Sequence, residues 1–237
     1  MSRPPATAAS AFAALALLLV GCGGDVDPEW QLDHDRVIAV RSTPSRIASG
    51  EAATVDALIG RKGEPPRDVD PDTAEVVSPT SLAAALSHGS GRWTVTTPGD
   101  DQLVAARTEL ALDAGAPVPL RVRIGFSDDG ETALKVVWLG EHADNPVIDP
   151  VTVDGMDALA GSQLTVSIGV DIPLAVTFDP ASFSINWLTS CGTLHDFDLA
   201  TARLRIEPTD PHTGSFAIVV RDTVGGVDWH LWPITAQ

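Results

Sequence analysis

Tyrosine is absent from the 237 residues, cysteine and methionine occur twice each, and only two of the 15 basic residues are lysine. Two cysteines cannot build a disulfide framework, so whatever folds here must be held by its core. Basic side chains are also too few for the 32 Asp and Glu, which leaves a formal charge of −17. Such a surface is a poor match for nucleic acid and is repelled by anionic head groups. No Gly-x-Ser-x-Gly, P-loop, Gly-x-Gly-x-x-Gly or His-Glu-x-x-His motif occurs. Their absence argues against the commonest hydrolase, nucleotide-binding and zinc-protease classes, and no cofactor is expected. The apolar run Ala11–Val20 is unbroken but spans about 10 residues, against the ~20 a spanning helix needs. What is abundant is Ala, Val and Asp, with Arg in place of Lys, a balance that reads as the codon bias of a GC-rich genome. The hydrophobic fraction of 44% is that of a globular chain.

Arg3 beside the free amino terminus, followed by that run, has the form of a secretory signal. The run closes on Leu19-Val20-Gly21-Cys22, which resembles the lipobox of bacterial lipoproteins. The resemblance implies cleavage after Gly21, so that residues 1–21 are a signal peptide. It also implies a diacylglycerol thioether on Cys22 and a lipidated tether over 22–34. An ordinary signal peptide with a chance cysteine is the alternative. Multiple acyl chains at about 0.8 kcal/mol per CH₂ make such an anchor effectively permanent, so the bilayer would be a partner through Cys22. Loss of Arg3 takes the formal charge to 14 − 32 = −18. Gly23, standing where the enteric family's retention signal has Asp, implies export to the outer membrane of a diderm envelope. The stretch Gly23 to Glu29 is small, acidic and unpatterned, as a flexible tether would be.

Beyond the tether, period-2 alternation dominates. Leu120, Val122, Ile124 and Phe126 fall on one face with Arg121 and Arg123 on the other. Leu164–Val170, Leu174–Phe178, Phe183–Trp187, Leu204–Ile206 and Phe216–Val220 read the same way, with turn chemistry every 8–12 residues or so. Helical signal is sparse: a turn or two over Ser81–Leu86, and a helix over Asp101–Leu112 with Leu103, Ala106, Leu110 and Ala111 on one side and Gly115 to stop it. The Pro- and Gly-rich stretch Arg61 to Asp72 reads as an exposed loop.

The polar segment His142–Pro146 divides the chain into domains at 35–141 and 142–237. Arg36–Val40 and Ala53–Ala57 resemble the first two strands of bacterial immunoglobulin-like domains. From Pro146 to Ile234, seven strands can be counted near 147–153, 163–170, 173–179, 183–188, 202–207, 215–221 and 227–234, the number for an immunoglobulin-like sandwich. Trp187 occupies the place of that fold's core tryptophan. Phe216 stands for its corner tyrosine and Ile218 for its second cysteine, and without a hydroxyl Phe216 cannot make the corner hydrogen bond. The last hairpin, Val219 to Trp229, resembles that of PKD-type domains of bacterial surface proteins. The expected fold class is therefore mainly β: two immunoglobulin-like antiparallel sandwiches, the first with a short helical insertion, behind a cleaved signal helix.

Candidate chemistry is thin. Cys191, His195 and Asp196 or Asp198 place a thiol, an imidazole and a carboxylate in one loop, the parts of an activated thiol. A buried thiol beside a solvated loop fits equally, and two or three ligands fall short of structural zinc. Asp68, Asp70 and Asp72, and the run Asp128-Asp129-Gly130-Glu131, invite calcium, but the first fails the EF-hand template at Thr73 and Pro79 and the second has no alternating acids. Trp30, Trp229 and Trp232 with His230 could form a sugar platform, although Trp229 and Trp232 point to opposite faces of a strand. Trp138 and Trp187 read as core. The expectation is a membrane-tethered envelope lipoprotein with no catalytic or metal residues, acting as a binding or structural module for an envelope protein or polysaccharide. A hydrolase or thiol enzyme using Cys191 and His195 is the alternative.

Overall fold

The computed structural model describes residues 28–127, 130–148, 150–179 and 181–237. The expected signal peptide, Cys22 and the Asp128-Asp129 pair lie outside them. Among the described residues no helix is long and apolar enough to cross a membrane.

The first domain contains β1 (Arg36–Thr43), β2 (Arg46–Ile47), β3 (Ala52–Arg61), β4 (Glu64–Val69), β5 (Thr73–Ser78), a 3-10 turn (Thr80–Ala85), β6 (Leu86–Gly89), β7 (Arg92–Thr96), α1 (Asp100–Glu109), β8 (Val118–Phe126) and β9 (Glu131–Leu139). Its sheets run β1-β3-β7-β6, with β4 also on β3, and β2-β9-β8-β5. Only β2 against β9 is parallel. Lettered by chain order, these are the A-B-E-D and A′-G-F-C sheets of an immunoglobulin-like sandwich.

The second domain contains β10 (Val151–Val153), β11 (Met156–Asp157), β12 (Leu164–Val166), β13 (Asp171–Val176), β14 (Phe183–Thr189), β15 (Thr193–His195), β16 (Thr201–Arg205), β17 (Thr213–Asp222) and β18 (Val227–Ala236). Its sheets, β11-β10-β13-β16-β15 and β12-β18-β17-β14, repeat the same order, again with one parallel pair, β12 on β18. Both halves are thus immunoglobulin-like sandwiches. The alternation sets their cores: Val118, Leu120, Val122, Ile124 and Phe126 are buried along β8 while its two arginines face water. In the second core Trp187 stacks on Phe216 at 5.7 Å, and Phe216 meets Trp232 at 5.6 Å. An aromatic stack stands where the family has its disulfide, and the Trp187 indole N–H donates to the Leu199 carbonyl at 2.8 Å.

Four sequence expectations change. Residues 61–72 do not form a loop, because β4 folds back on β3 across a register shift between Ile59 and Arg61. A bulge on an edge strand is a place where Pro65 and Pro66 are tolerated. Helix α1 ends at Glu109 rather than at Leu112; Leu110 leaves helical geometry and Ala111 turns left-handed at φ 53°. The strand expected over 163–170 stops at Val166, and β15 was not expected. Lastly, the end of the expected 22–34 tether is a docked segment. Gln31 bridges Thr189 at the open edge of β14, the Leu32 N–H donates to the Thr189 carbonyl at 2.8 Å, and Leu32 is wholly buried. Gly60 makes that course possible, since a Cβ there would lie 2.7 Å from the carbonyl oxygens of Leu32 and His34.

Candidate functional site

The two sandwiches lie face against face. Leu32, Ala39, Leu58, Leu188, Ala217, Val219, Val227 and Trp229 form an apolar cluster separate from either core. It joins the outer face of β1 and β3 to the outer face of β14, β17 and β18. Phe216 to Val220 are consequently buried without a break. Their even members point into the second core and Ala217 and Val219 into the seam.

Polar contacts stitch the rim of that seam. Arg46 gives two hydrogen bonds to the Val224 carbonyl, at 3.1 and 3.0 Å, and Arg221 donates to the Ile38 carbonyl at 3.0 Å. The Lys135 ammonium, only 5% exposed, donates to the Gly225 carbonyl at 2.8 Å. Burial pushes the pKa of Lys135 down to about 8. Asn145 serves both halves: its amide N–H donates to the Ser42 carbonyl at 2.9 Å, and its oxygen accepts from the Val227 N–H at 3.0 Å.

Where the seam opens to water it leaves a cleft of about 770 Å³. Arg41 of β1 stands opposite Asp56 of β3 in the strand register, and the guanidinium grips that carboxylate with bonds of 3.1 and 2.7 Å. Its remaining arm reaches Asp228 of β18 at 2.6 Å, 187 residues later in the chain. Burial opposes the charge on Arg41, but its bonds to Asp56 and then Asp228 outweigh that and hold its pKa above the ordinary value. Beneath it lies Trp229, whose ring centre is 4.0 Å from the guanidinium carbon. The Trp229 indole N–H donates to Asp68 at 2.5 Å. The connector Asp144 to Ile148 and the segment Ala158 to Ala160 both line the cleft. On these lips Val147 and Leu159 are 77% and 75% exposed.

The residues singled out in the sequence fall elsewhere. Cys191 is 2% exposed in the second core, with Thr189 as its polar neighbour. Burial raises the Cys191 thiol pKa, the reverse of nucleophile activation. His195 is exposed on β15, Asp196 pairs with Arg203 at 3.4 Å, and the thiol and imidazole are not joined by a hydrogen bond among the described residues. The acids of the first calcium candidate serve separate ends. Asp68 holds Trp229, Asp70 pairs with Arg92 at 3.6 Å, and Asp72 accepts from the Ser127 N–H at 2.7 Å. Among the described residues no group of three or more His, Cys, Asp or Glu is placed to hold a metal.

The aromatic platform does not form. Trp232 is in the core, Trp229 is in the seam under Arg41, and Trp30 is half-buried against the second core. Trp187 is core as expected, but Trp138 is not. It lies half-buried on the outer face of β9, with Arg46 5.4 Å over its ring and Gly225 against its edge. Arg41, Asp56 and Asp228 were not foreseen, because nothing local marks a salt bridge between strands so far apart in sequence. The seam did carry a signal: five apolar residues in a row, Phe216 to Val220, denote a strand covered on both faces.

No family model matches the chain, and no curated protein matches it in sequence. Among solved structures, a nucleoside hydrolase-related hypothetical protein from Saccharophagus degradans aligns at 18% identity and a TM-score of 0.32. That match covers 40% of this chain and 26% of the other, so the chain spans about a quarter of that relative's length. The N-terminal Ig1-2 module of the Drosophila receptor protein tyrosine phosphatase DLAR aligns at 8% identity and a TM-score of 0.29, over 84% of this chain and 98% of that one. Murine CEACAM1b aligns at 10% and 0.27, over 84% and 100%. Likenesses this distant carry no functional argument; the immunoglobulin-like architecture rests on the strand order of the two sheets in each half.

Proposed function

We infer that this chain is an envelope lipoprotein, tethered through Cys22, that works as a binding module and presents the cleft between its two sandwiches to an extracytoplasmic partner. The observation that carries this reading is the seam itself. A buried apolar cluster with hydrogen bonds around its rim holds the two halves as one body, so the cleft at its mouth is preformed. Preformed concave sites at domain junctions are common places for recognition. The lipobox supports the address, and the docked segment supports a short leash. Cys22 and Trp30 are eight Cα steps apart, at most ~3.3–3.6 Å each, a reach of roughly 26–29 Å. A tether of that reach would keep the body close to the bilayer, with the cleft facing the aqueous side. Among the described residues no constellation supports an enzyme, and the raised thiol pKa of Cys191 speaks against a thiol mechanism.

The test is crosslinking in intact native cells followed by identification of what is captured, with Cys22→Ser as the unanchored control and Leu159→Ser as the cleft control. Labelled palmitate should enter the wild-type chain and not Cys22→Ser. A defined partner lost in both variants is the expected result. Palmitate labelling that survives Cys22→Ser would remove the anchor from the reading, and capture indifferent to Leu159→Ser would remove the cleft.

A further inference from the structure

We propose that the cleft recognises a cationic, extended segment of a partner polypeptide, one that alternates basic and apolar side chains. The proposal rests on the binding-module reading and names the chemistry of its partner. Arg41 answers two carboxylates, Asp56 and Asp228, and so leaves the floor of the cleft with a formal charge of −1. Asp144, 84% exposed on the connector with the His142 Nε2 at 3.5 Å, adds a third carboxylate to the lining. The opposing cation at the rim, Arg92, is engaged by Asp70 at 3.6 Å. A guanidinium or ammonium entering here would meet a lining with three carboxylates, Asp56, Asp144 and Asp228, against two guanidiniums, and the chain's overall charge of −17 would steer it inward.

The lips set the rest of the specificity. Val147 and Leu159 are large apolar side chains of the lining left 77% and 75% exposed. Apolar residues of the ligand laid against them would remove them from water. A polysaccharide fits less well, because stacking needs an open aromatic face. No Trp or Phe lines the cleft, and the indole beneath it, Trp229, has its face occupied by Arg41.

The experiment uses the full-length chain in neutral detergent micelles and fluorescein-labelled decapeptides, with binding read by anisotropy at 50 and 150 mM NaCl. One peptide alternates Arg with Leu, a second Glu with Leu, and a third Arg with Ser. The Arg-Leu peptide should bind at least tenfold more tightly than either of the others, and more weakly at the higher salt. Asp144→Lys and Leu159→Ser alter exposed side chains that the fold does not need, and each should weaken that binding at least fivefold. Glu207→Gln, outside the cleft, should leave it unchanged. Equal binding of the Arg-Leu and Glu-Leu peptides overturns the proposal. So does indifference to Asp144→Lys and Leu159→Ser, or an effect of Glu207→Gln as large as theirs, which would mean diffuse charge attraction. Saturable binding of a neutral glucan that these two variants abolish also overturns it. A cellular partner whose capture needs Leu159 but which presents no basic segment would sink the ligand class while leaving the binding module intact.

Discussion

At the residue scale, two buried groups make opposite demands on pH and reagent. Cys191 is enclosed by the second core and its thiol pKa is raised by burial. It should react with a neutral-pH thiol reagent far more slowly than free cysteine, and at full rate only once the chain is unfolded in urea. Fast labelling of the folded chain would revive the thiol-enzyme alternative. Lys135 is buried at the seam with its pKa lowered to about 8. An unfolded lysine titrates near 10.4. Between those values the unfolded state binds the extra proton, so stability rises with pH from about 8 to about 10.4, and the penalty is fully present below about 8. At about 1.4 kcal/mol per pH unit this amounts to roughly 3 kcal/mol. Lys135→Met should remove that slope, as read from urea melts at pH 7 and 9.5. An unchanged slope would place its origin in other groups.

At the element scale, the segment ahead of β1 and the hairpin joining β17 to β18 depend on two glycines. Gly60 admits the carbonyls of Leu32 and His34, and Gly225 packs on Trp138 with φ 99°, where a Cβ would sit 3.1 Å from the indole nitrogen. Gly60→Ala should release the segment from the β14 edge, lowering stability by about 1–3 kcal/mol. It should also open the chain near Leu32 to limited proteolysis before any global unfolding. Proteolysis no faster than in the unsubstituted chain would show that the segment re-docks around the methyl group. This close approach is invisible in sequence, where Gly60 is one glycine among 20. The β4 hairpin was hidden for a related reason. Its prolines signal a loop unless a bulge on an edge strand is available to take them.

For the whole molecule, the seam makes two sandwiches one unit. Leu58, Leu188, Ala217, Val219 and Trp229 would all be exposed if the halves separated, at about 25 cal/mol for each Å² of apolar surface uncovered. Urea unfolding followed by tryptophan fluorescence and by circular dichroism should therefore give coincident, single transitions. Two resolved transitions would mean that the halves fold independently and that the cleft is not preformed.

The sequence by itself determined the β class, the buried faces of the strands and the place of Trp187. Each follows from period-2 patterning and turn chemistry, which are local. It also carried, in the unbroken apolar run Phe216 to Val220, a strand with no solvent face. Only the tertiary structure decided what covers that second face, that Asp68 serves Trp229, and that Arg41, Asp56 and Asp228 meet at the cleft floor. Those pairings join side chains up to 187 residues apart. Contacts of that kind are set by how two finished sheets dock, and no spacing along the chain encodes them.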